Sequence, residues 1–417
     1  MSPDSSATVD PLSSSNTDLS AFRSALRAWL EDNAPHSLRG TASTPFQGYW
    51  GGRTTGFESD EQRVWFERCL DRGWTAPGWP EAYGGGGMPP AQLRIWQEEL
   101  RAMAMPLPLV GFGLTMIGPI VLSEGTEAQK TKHLTAIAHA KVRWCQGYSE
   151  PDAGSDLAAL RTRAVLEGDE WVVNGQKIWT SHAEKSDWIF CLVRTDPNVK
   201  KQAGITFLLI DMASPGITTR PIELISGSSP FCEVFFDNVR VPEHQVVGDI
   251  NDGWRVAKAL LQHERGMVGE SVAAGGARVD VLKPYTVRDH AREVIGLDDR
   301  GQLNDPILRD AVAASEMEQE LMRLTVRRAN DAMKAGAQPG TESSILKVVG
   351  TELNQRRWEL AMRIAGPDGL GWSGTPYSER DLAVARQWLR SRGNTIEGGS
   401  SEVQRNILAR AVLRMPK

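Results

Sequence analysis

The chain has 417 residues, of which 41% are hydrophobic and 24% charged, with a formal net charge of -5. That length and apolar content support a buried core and two or three domains, while the acidic balance and the lack of a long basic stripe argue against a nucleic-acid partner. No apolar run approaches the roughly 20 residues that cross a bilayer.

Residues 1–17 are rich in Ser, Pro and Asp, without arginine or an apolar core. They read as a disordered, solvated tail of a cytoplasmic protein rather than as a targeting signal. From 18 to 141 the pattern is helical. Ala21-Phe22, Ala25-Leu26 and Trp29-Leu30 recur at helical spacing, and 61–72 and 91–105 behave similarly. Thr126 and Gln129 form an expected capping box that opens a helix through Ile137. Pro77, Pro80 and the glycines at 84–87 mark a loop between two of these helices.

The texture changes over 142–250. Residues 161–166 alternate, and the runs 170–173 and 176–180 flank Asn174-Gly175, which predicts a hairpin turn there. Strand patterns continue at 188–194, 205–210, 216–221 and 233–236, giving a compact antiparallel β domain. Helices return over 251–417. One is expected at 252–283, ended by Pro284, with others at 305–334 and 342–365, a Gly/Pro loop at 366–376, and a last helix starting near Ser400. The four cysteines, Cys69, Cys145, Cys191 and Cys232, form no C-x-x-C pair, and the seven histidines show no H-E-x-x-H spacing. Reduced, buried thiols and no metal site are expected.

Three segments carry chemistry. Tyr148-Ser149-Glu150-Pro151-Asp152-Ala153-Gly154-Ser155-Asp156 is a turn-forming loop that could bring amides and hydroxyls against a flat polar ligand. Lys177-Ile178-Trp179-Thr180-Ser181 places an indole and a hydroxyl on one face of a strand, able to cover a fused ring and bond its edge. Ile396-Glu397-Gly398-Gly399-Ser400-Ser401-Glu402 is a glycine turn before a helix. Taken singly, the first is most simply a turn and the second a half-buried sheet tryptophan.

In their order, with Phe235-Phe236-Asp237-Asn238-Val239-Arg240-Val241-Pro242 and the Gly73-Trp74 to Gly84-Gly85 stretch, these segments resemble the acyl-CoA dehydrogenase family from about residue 19 to the C-terminus. The resemblance implies an α+β fold with an N-terminal helical domain, a middle β domain and a C-terminal four-helix bundle. It implies non-covalent FAD and removal of two hydrogens from the α and β carbons of an acyl-CoA. Tyr148, Ser149, Gly154 and Ser155 would border flavin and substrate. Trp179 would pack on the ring system, Ser181 would bond beside it, and Ser400 and Glu402 would contact the cofactor from the C-terminal domain. An electron-transfer flavoprotein is the implied acceptor.

The chemistry needs one carboxylate beside the α carbon, made more basic by burial, and donors to the thioester oxygen. Two glutamates compete. Glu397 resembles the Glu-Gly-Thr base of short- and medium-chain members, but aligning Gly-Thr with Gly399-Ser400 puts Gly398 at the base position. Glu264, in His263-Glu264-Arg265-Gly266, resembles the base of long-chain and isovaleryl-type members, so the base is assigned to Glu264, with Glu397 the runner-up. Taken alone, Glu264 would read as a helix-surface charge or an ion pair with Arg265. Arg265 is expected to face the substrate or hold its helix, and the Gly398 amide to donate to the thioester oxygen.

The sequence departs from the family in two places. The Arg-x-x-Phe-Gly of many homotetrameric members is missing after the base helix, where the chain reads Ala277-Arg278-Val279-Asp280-Val281-Leu282-Lys283-Pro284. The usual Gln-x-x-Gly-Gly reads Arg363-Ile364-Ala365-Gly366-Pro367. Bacterial relatives acting on steroid side chains form heterotetramers in which one subunit supplies the base and the other the missing FAD contacts. This chain resembles the base-bearing kind, acting on a branched or bulky acyl group. Two alternatives use the same fold. A flavin monooxygenase needs no base at 264 or 398. A silent partner subunit should lack the base and keep Arg-x-x-Phe-Gly.

Overall fold

Asp18 accepts from the amides of Ser20 and Ala21 and so starts α1 (Leu19–Asn33), whose Phe22, Leu26 and Leu30 repeat every four residues and are fully buried. They pack against α2 (Asp60–Leu70) and α3 (Pro90–Ala102), with Trp65, Trp74 and Trp96 in the same core. The seam is fixed by charge as well, since buried Glu99 on α3 meets Arg23 at 2.5 Å and Arg27 at 2.8 Å. The computed structural model describes residues 12, 18–42, 47–261, 286–334, 343–374 and 377–416.

A π-turn, Gly113–Ile117, leads into α4 (Gly118–Glu124). The Thr126–Gln129 capping box forms as expected and opens α5 (Glu127–Gln129), continued by a second π-turn to α6 (Thr135–Ala138). Gln129 also donates to the carbonyls of His244 and Val246, tying this helix to the far end of the β region.

Seven strands follow: β1 (Trp144–Gly147), β2 (Arg163–Glu167), β3 (Glu170–Ser181), β4 (Trp188–Arg194), β5 (Ile205–Asp211), β6 (Ile217–Ile222) and β7 (Phe231–Pro242). They form one sheet in the order β1-β4-β2-β3-β7-β6, with β5 also on β4. Among the described residues, Arg163↔Arg194 is the one paired strand position between the β1-β4-β5 part and the β2-β3-β7-β6 part. Two expectations are corrected. The sheet is not wholly antiparallel, because β1 and β2 pair β4 in parallel. Nor is Asn174-Gly175 a hairpin turn. β3 runs straight through it, and the hairpin turns one element earlier, between Glu167 and Glu170. Asn174 instead exchanges hydrogen bonds with Asn238 across a register shift in the β3–β7 pair. A Cβ on Gly175 would come within 2.7 Å of Thr162 Cα, so the glycine permits close backbone approach.

β4 is buried on both faces. Trp188, Phe190 and Leu192 pack toward α4, α6 and the helical seam, and Ile189, Cys191 and Val193 pack into the sheet's own core. All four cysteines are free and buried. Helix α7 begins at 253 and is described to 261; Val256, Ala257 and Leu260 pack on Phe190 and Phe207.

The C-terminal region holds α8 (Val287–Ile295), α9 (Pro306–Lys334), α10 (Ser343–Ala365), α11 (Glu379–Ser391) and α12 (Ser401–Ile407), with α10 touching each of the others. α8 and α11 were not foreseen, although Thr286 and Ser378 cap them through the amides of Asp289 and Asp381. The order of helical, β and helical regions makes the chain α+β.

Candidate functional site

β1 ends at Gly147, and the next residue, Tyr148, is buried with its ring edge-on to Phe190 at 6.0 Å and Phe207 at 6.4 Å. Ser149 is half-buried, and its carbonyl accepts from Ile178 N of β3 at 2.9 Å. Glu150 and Ala153 close the turn with reciprocal backbone bonds of 3.0 Å. Gly154 and Ser155 lie on its exposed side, and a Cβ on Gly154 would meet nothing within 4 Å.

Beneath the loop is a buried ion pair that the sequence reading did not single out. Lys177 Nζ, fully buried, donates to Glu150 Oε1 at 2.8 Å and to the Tyr148 carbonyl at 3.1 Å. The same carboxylate accepts from Thr162 N at 2.9 Å and Arg161 N at 2.6 Å. Burial alone would push the Glu150 carboxyl up. The Lys177 charge and hydrogen bond, helped by Thr162 and Arg161, outweigh burial and hold it below its usual range.

Two residues beyond Lys177, Trp179 is 53% exposed and sits at φ +61°, within the register shift between Lys177 and Thr180. A bulky residue in the left-handed region is a genuine outlier. The bulge turns the indole outward, edge-on to Phe231 of β7 at 6.1 Å. Ser181, half-buried, pairs with the same Phe231.

Phe231 carries the site across to the C-terminal region. The Arg390 guanidinium of α11 lies 5.6 Å from its ring, and Arg390 donates to Glu397 Oε2 at 2.7 Å. Asn394 donates to the other oxygen, Oε1, at 2.6 Å, and is itself held by Asn354 of α10 at 2.7 Å. Glu397 is therefore engaged at both oxygens. Gly398 and Gly399 follow at φ +63° and +90°. The Gly398 carbonyl accepts from Gln404 Nε2 at 3.2 Å, and a Cβ on Gly399 would meet that nitrogen at 2.5 Å. Ser400 caps α12 through Val403 N at 3.3 Å. Glu402 is exposed in its first turn, where its own amide and the Ser400 hydroxyl hold its carboxyl below the usual range.

The structure thus joins the 148–155 loop, Trp179, Ser181 and the turn bearing Glu397, Gly398 and Ser400 through Phe231 and Arg390. His263, Glu264, Arg265 and Gly266, with the 277–284 stretch, lie outside the described residues. Arg363, Ile364 and Ala365 end α10, and Gly366 at φ +57° starts the following turn. Among the described residues, no cluster of His, Cys, Asp and Glu could hold a metal, and no helix is long and apolar enough to cross a membrane. Phe231 and Arg390 carried no sequence signal, because their meeting depends on how α11 packs against β7.

Three family models match in chain order: the acyl-CoA dehydrogenase N-terminal domain over 18–141, the middle domain over 145–239 and the C-terminal domain over 251–413. The chain is 37% identical to the acyl-CoA dehydrogenase IpdE1 of Mycobacterium tuberculosis over 404 residues, covering 96% of this chain and 98% of that one. Among solved structures it is similar to one described as the Tcur3481-Tcur3483 steroid ACAD, with 31% identity, a TM-score of 0.72 and coverage of 96% and 98%. It is also similar to the ChsE4-ChsE5 complex from Mycobacterium tuberculosis, with 28% identity, a TM-score of 0.69 and coverage of 96% and 98%.

Proposed function

The chain belongs to the acyl-CoA dehydrogenase family, and from that premise we propose that it converts a coenzyme A thioester with a branched or bulky acyl group to the trans-2-enoyl thioester, as the base-bearing subunit of a heteromeric enzyme. The observation that carries this reading is the connected face from the 148–155 loop through Trp179, Phe231 and Arg390 to the Gly-Gly-Ser turn.

That face fits FAD. It offers a half-exposed indole turned out of the sheet, a hydroxyl two residues on, open space at Gly154 and a helix-capping serine at 400. FAD, when bound, supplies the two-electron acceptor. Trp179 would cover the ring system and Ser181 would bond its edge. Tyr148, Ser149, Gly154 and Ser155 would border it, and Ser400 and Glu402 would reach it from the C-terminal side. Ser155 and Arg265 are assigned to the substrate.

The base is Glu264. What supports this over Glu397 is the occupation of both Glu397 oxygens by Arg390 and Asn394. Each oxygen keeps a further lone pair, but the two bonds fix the carboxylate against Arg390 and Asn394, so swinging toward a thioester would mean leaving a charged hydrogen bond. The Gly398 amide would donate to the thioester oxygen as charge develops there, beside the hydroxyls that FAD would supply when bound.

The heteromeric assignment rests on the missing Arg-x-x-Phe-Gly and altered Gln-x-x-Gly-Gly sequences, and on likeness to two structures whose descriptions name paired proteins. The steroid description of one supports the bulky acyl group. An electron-transfer flavoprotein is the proposed acceptor. The test is anaerobic oxidation of a panel of acyl-CoA thioesters with an artificial acceptor, alongside the flavin content of the purified chain. Substoichiometric FAD alone, and gain of flavin and turnover with a partner bearing the missing contacts, is expected. Full flavin and turnover as a homo-oligomer would overturn the heteromeric part. Failure to oxidise any thioester, with flavin bound, would overturn the reaction.

A further inference from the structure

We propose that the buried Glu150–Lys177 ion pair is a positioning device that clamps the 148–156 loop to β3, so that the loop and the Trp179 indole are presented to cofactor and substrate as one surface; this rests on the flavin-dependent reading above. Desolvating two charges is costly, and well-packed apolar residues of the same volume would serve stability as well or better. What this pair supplies is geometry. The Lys177 ammonium is fully buried, and it bonds both the Glu150 carboxylate and the Tyr148 carbonyl, two points on the loop. The carboxylate spends its other acceptor positions on the amides of Arg161 and Thr162, where the chain leaves the loop for β2. The pair therefore ties the start of the loop, at Tyr148 and Glu150, to Arg161 and Thr162 just before β2.

The other half of the device is strand β3. The bond from Ile178 N to the Ser149 carbonyl forms the next rung. The register shift that turns Trp179 outward begins at Lys177 itself. The strained residue is thus flanked on its N-terminal side by three bonds to the loop, two from Lys177 and one from Ile178, and on its C-terminal side β3 pairs again with β7 at Thr180↔Cys232 and Ser181↔Phe231. A change that frees the loop also frees the bulge.

The variants are Lys177→Met, Glu150→Gln and the two combined, made in the full chain. Lys177→Met alone leaves a buried carboxylate uncompensated and is expected to lose stability, so the combined variant, with both charges removed, decides the matter. Three quantities are read: the denaturation midpoint, hydrogen exchange at the amides of 149, 150, 153, 161 and 162 in the flavin-free chain, and the FAD dissociation constant by titration. The combined variant is expected to unfold closer to the wild-type midpoint than Lys177→Met does, exchange at those amides at least tenfold faster, and bind FAD at least tenfold more weakly. With flavin saturating, KM for the thioester should rise more than kcat falls. Wild-type exchange at the loop, or a wild-type FAD dissociation constant, overturns the clamp. The exchange comparison needs neither flavin nor turnover. It decides the clamp even where the wild-type chain proves not to be a dehydrogenase.

Discussion

Trp179 offers a test that separates backbone from side chain. At φ +61° an L-residue with a Cβ stands about 1–2 kcal/mol above its relaxed conformation. Trp179→Ala removes the indole and keeps that cost, whereas Trp179→Gly removes both. In an ordinary strand the glycine variant would be the less stable of the two, by roughly 0.5–1 kcal/mol of unfolded-chain entropy. Here the strain term opposes that entropy and is larger, so the order reverses, and Gly is expected above Ala by about 0.5–1 kcal/mol. Both variants lose the edge contact with Phe231, about 0.5–1.5 kcal/mol. The glycine variant should therefore fall within about 1 kcal/mol of wild type, since strain relief offsets the lost contact. Both should bind FAD about tenfold more weakly, an order expected for one lost aromatic face. Urea midpoints of the flavin-free chain at equal slope, followed by flavin titration, read both quantities. An alanine variant more stable than the glycine one would refute the strained-bulge account. Unchanged FAD affinity in both would refute the assignment of the indole to the cofactor.

Glu264→Gln should lower turnover by about 10²–10⁴-fold, the usual worth of a general base, with flavin retained; unchanged turnover in anaerobic assays would remove Glu264 from the mechanism. Glu397→Gln should leave turnover within about threefold and cost at most about 1 kcal/mol, because its bridge to Arg390 is partly exposed; a loss as deep as that of Glu264→Gln would restore Glu397 as the base. Burial pushes the His133 imidazole from 6.5 down to about 4. The unfolded chain takes up that proton near pH 6.5 and the folded chain does not until about pH 4, so His133 leaves stability intact above that window and erodes it as pH falls through it. The loss should approach about 2 kcal/mol between pH 6.5 and 5. His133→Gln should flatten that part of the stability profile, and an identical slope in the variant would count against the buried neutral ring.

Legibility followed the range of the interaction. The α1 stripe of Phe22, Leu26 and Leu30 and the Thr126–Gln129 box are set within one or two turns, and both could be read from the letters. Asn174-Gly175 misled because its usual use as a two-residue turn is also local, whereas its use here depends on Asn238 and on the approach of Thr162, distant in sequence. Lys177 was hidden for a related reason. A lysine inside an alternating strand reads as a solvent-facing residue, and only the return of the 148–156 loop over β3 supplies the carboxylate that lets it be buried. The motif residues Tyr148, Trp179 and Ser400 could be named from sequence, but the Phe231–Arg390 link that joins their two regions could not.

That link bears on why a glutamate in the obvious place need not be the working one. The side chain of Glu397 is held sideways by Arg390 and Asn394, and Asn394 is in turn fixed by α10. The next position offers no easy substitute. Gly398 at φ +63° and Gly399 at φ +90° lie where any residue with a Cβ carries strain, and a Cβ on Gly399 would also displace the Gln404 amide that bonds the turn. The turn is thus shaped to present backbone, and its one carboxylate is spent on holding that shape. A base drawn from a different element leaves the turn free to serve as an amide donor. In this reading the Arg390–Glu397 bridge and the Glu150–Lys177 clamp do similar work in the C-terminal turn and in the 148–156 loop, each using a charge pair to fix backbone beside the proposed cofactor face.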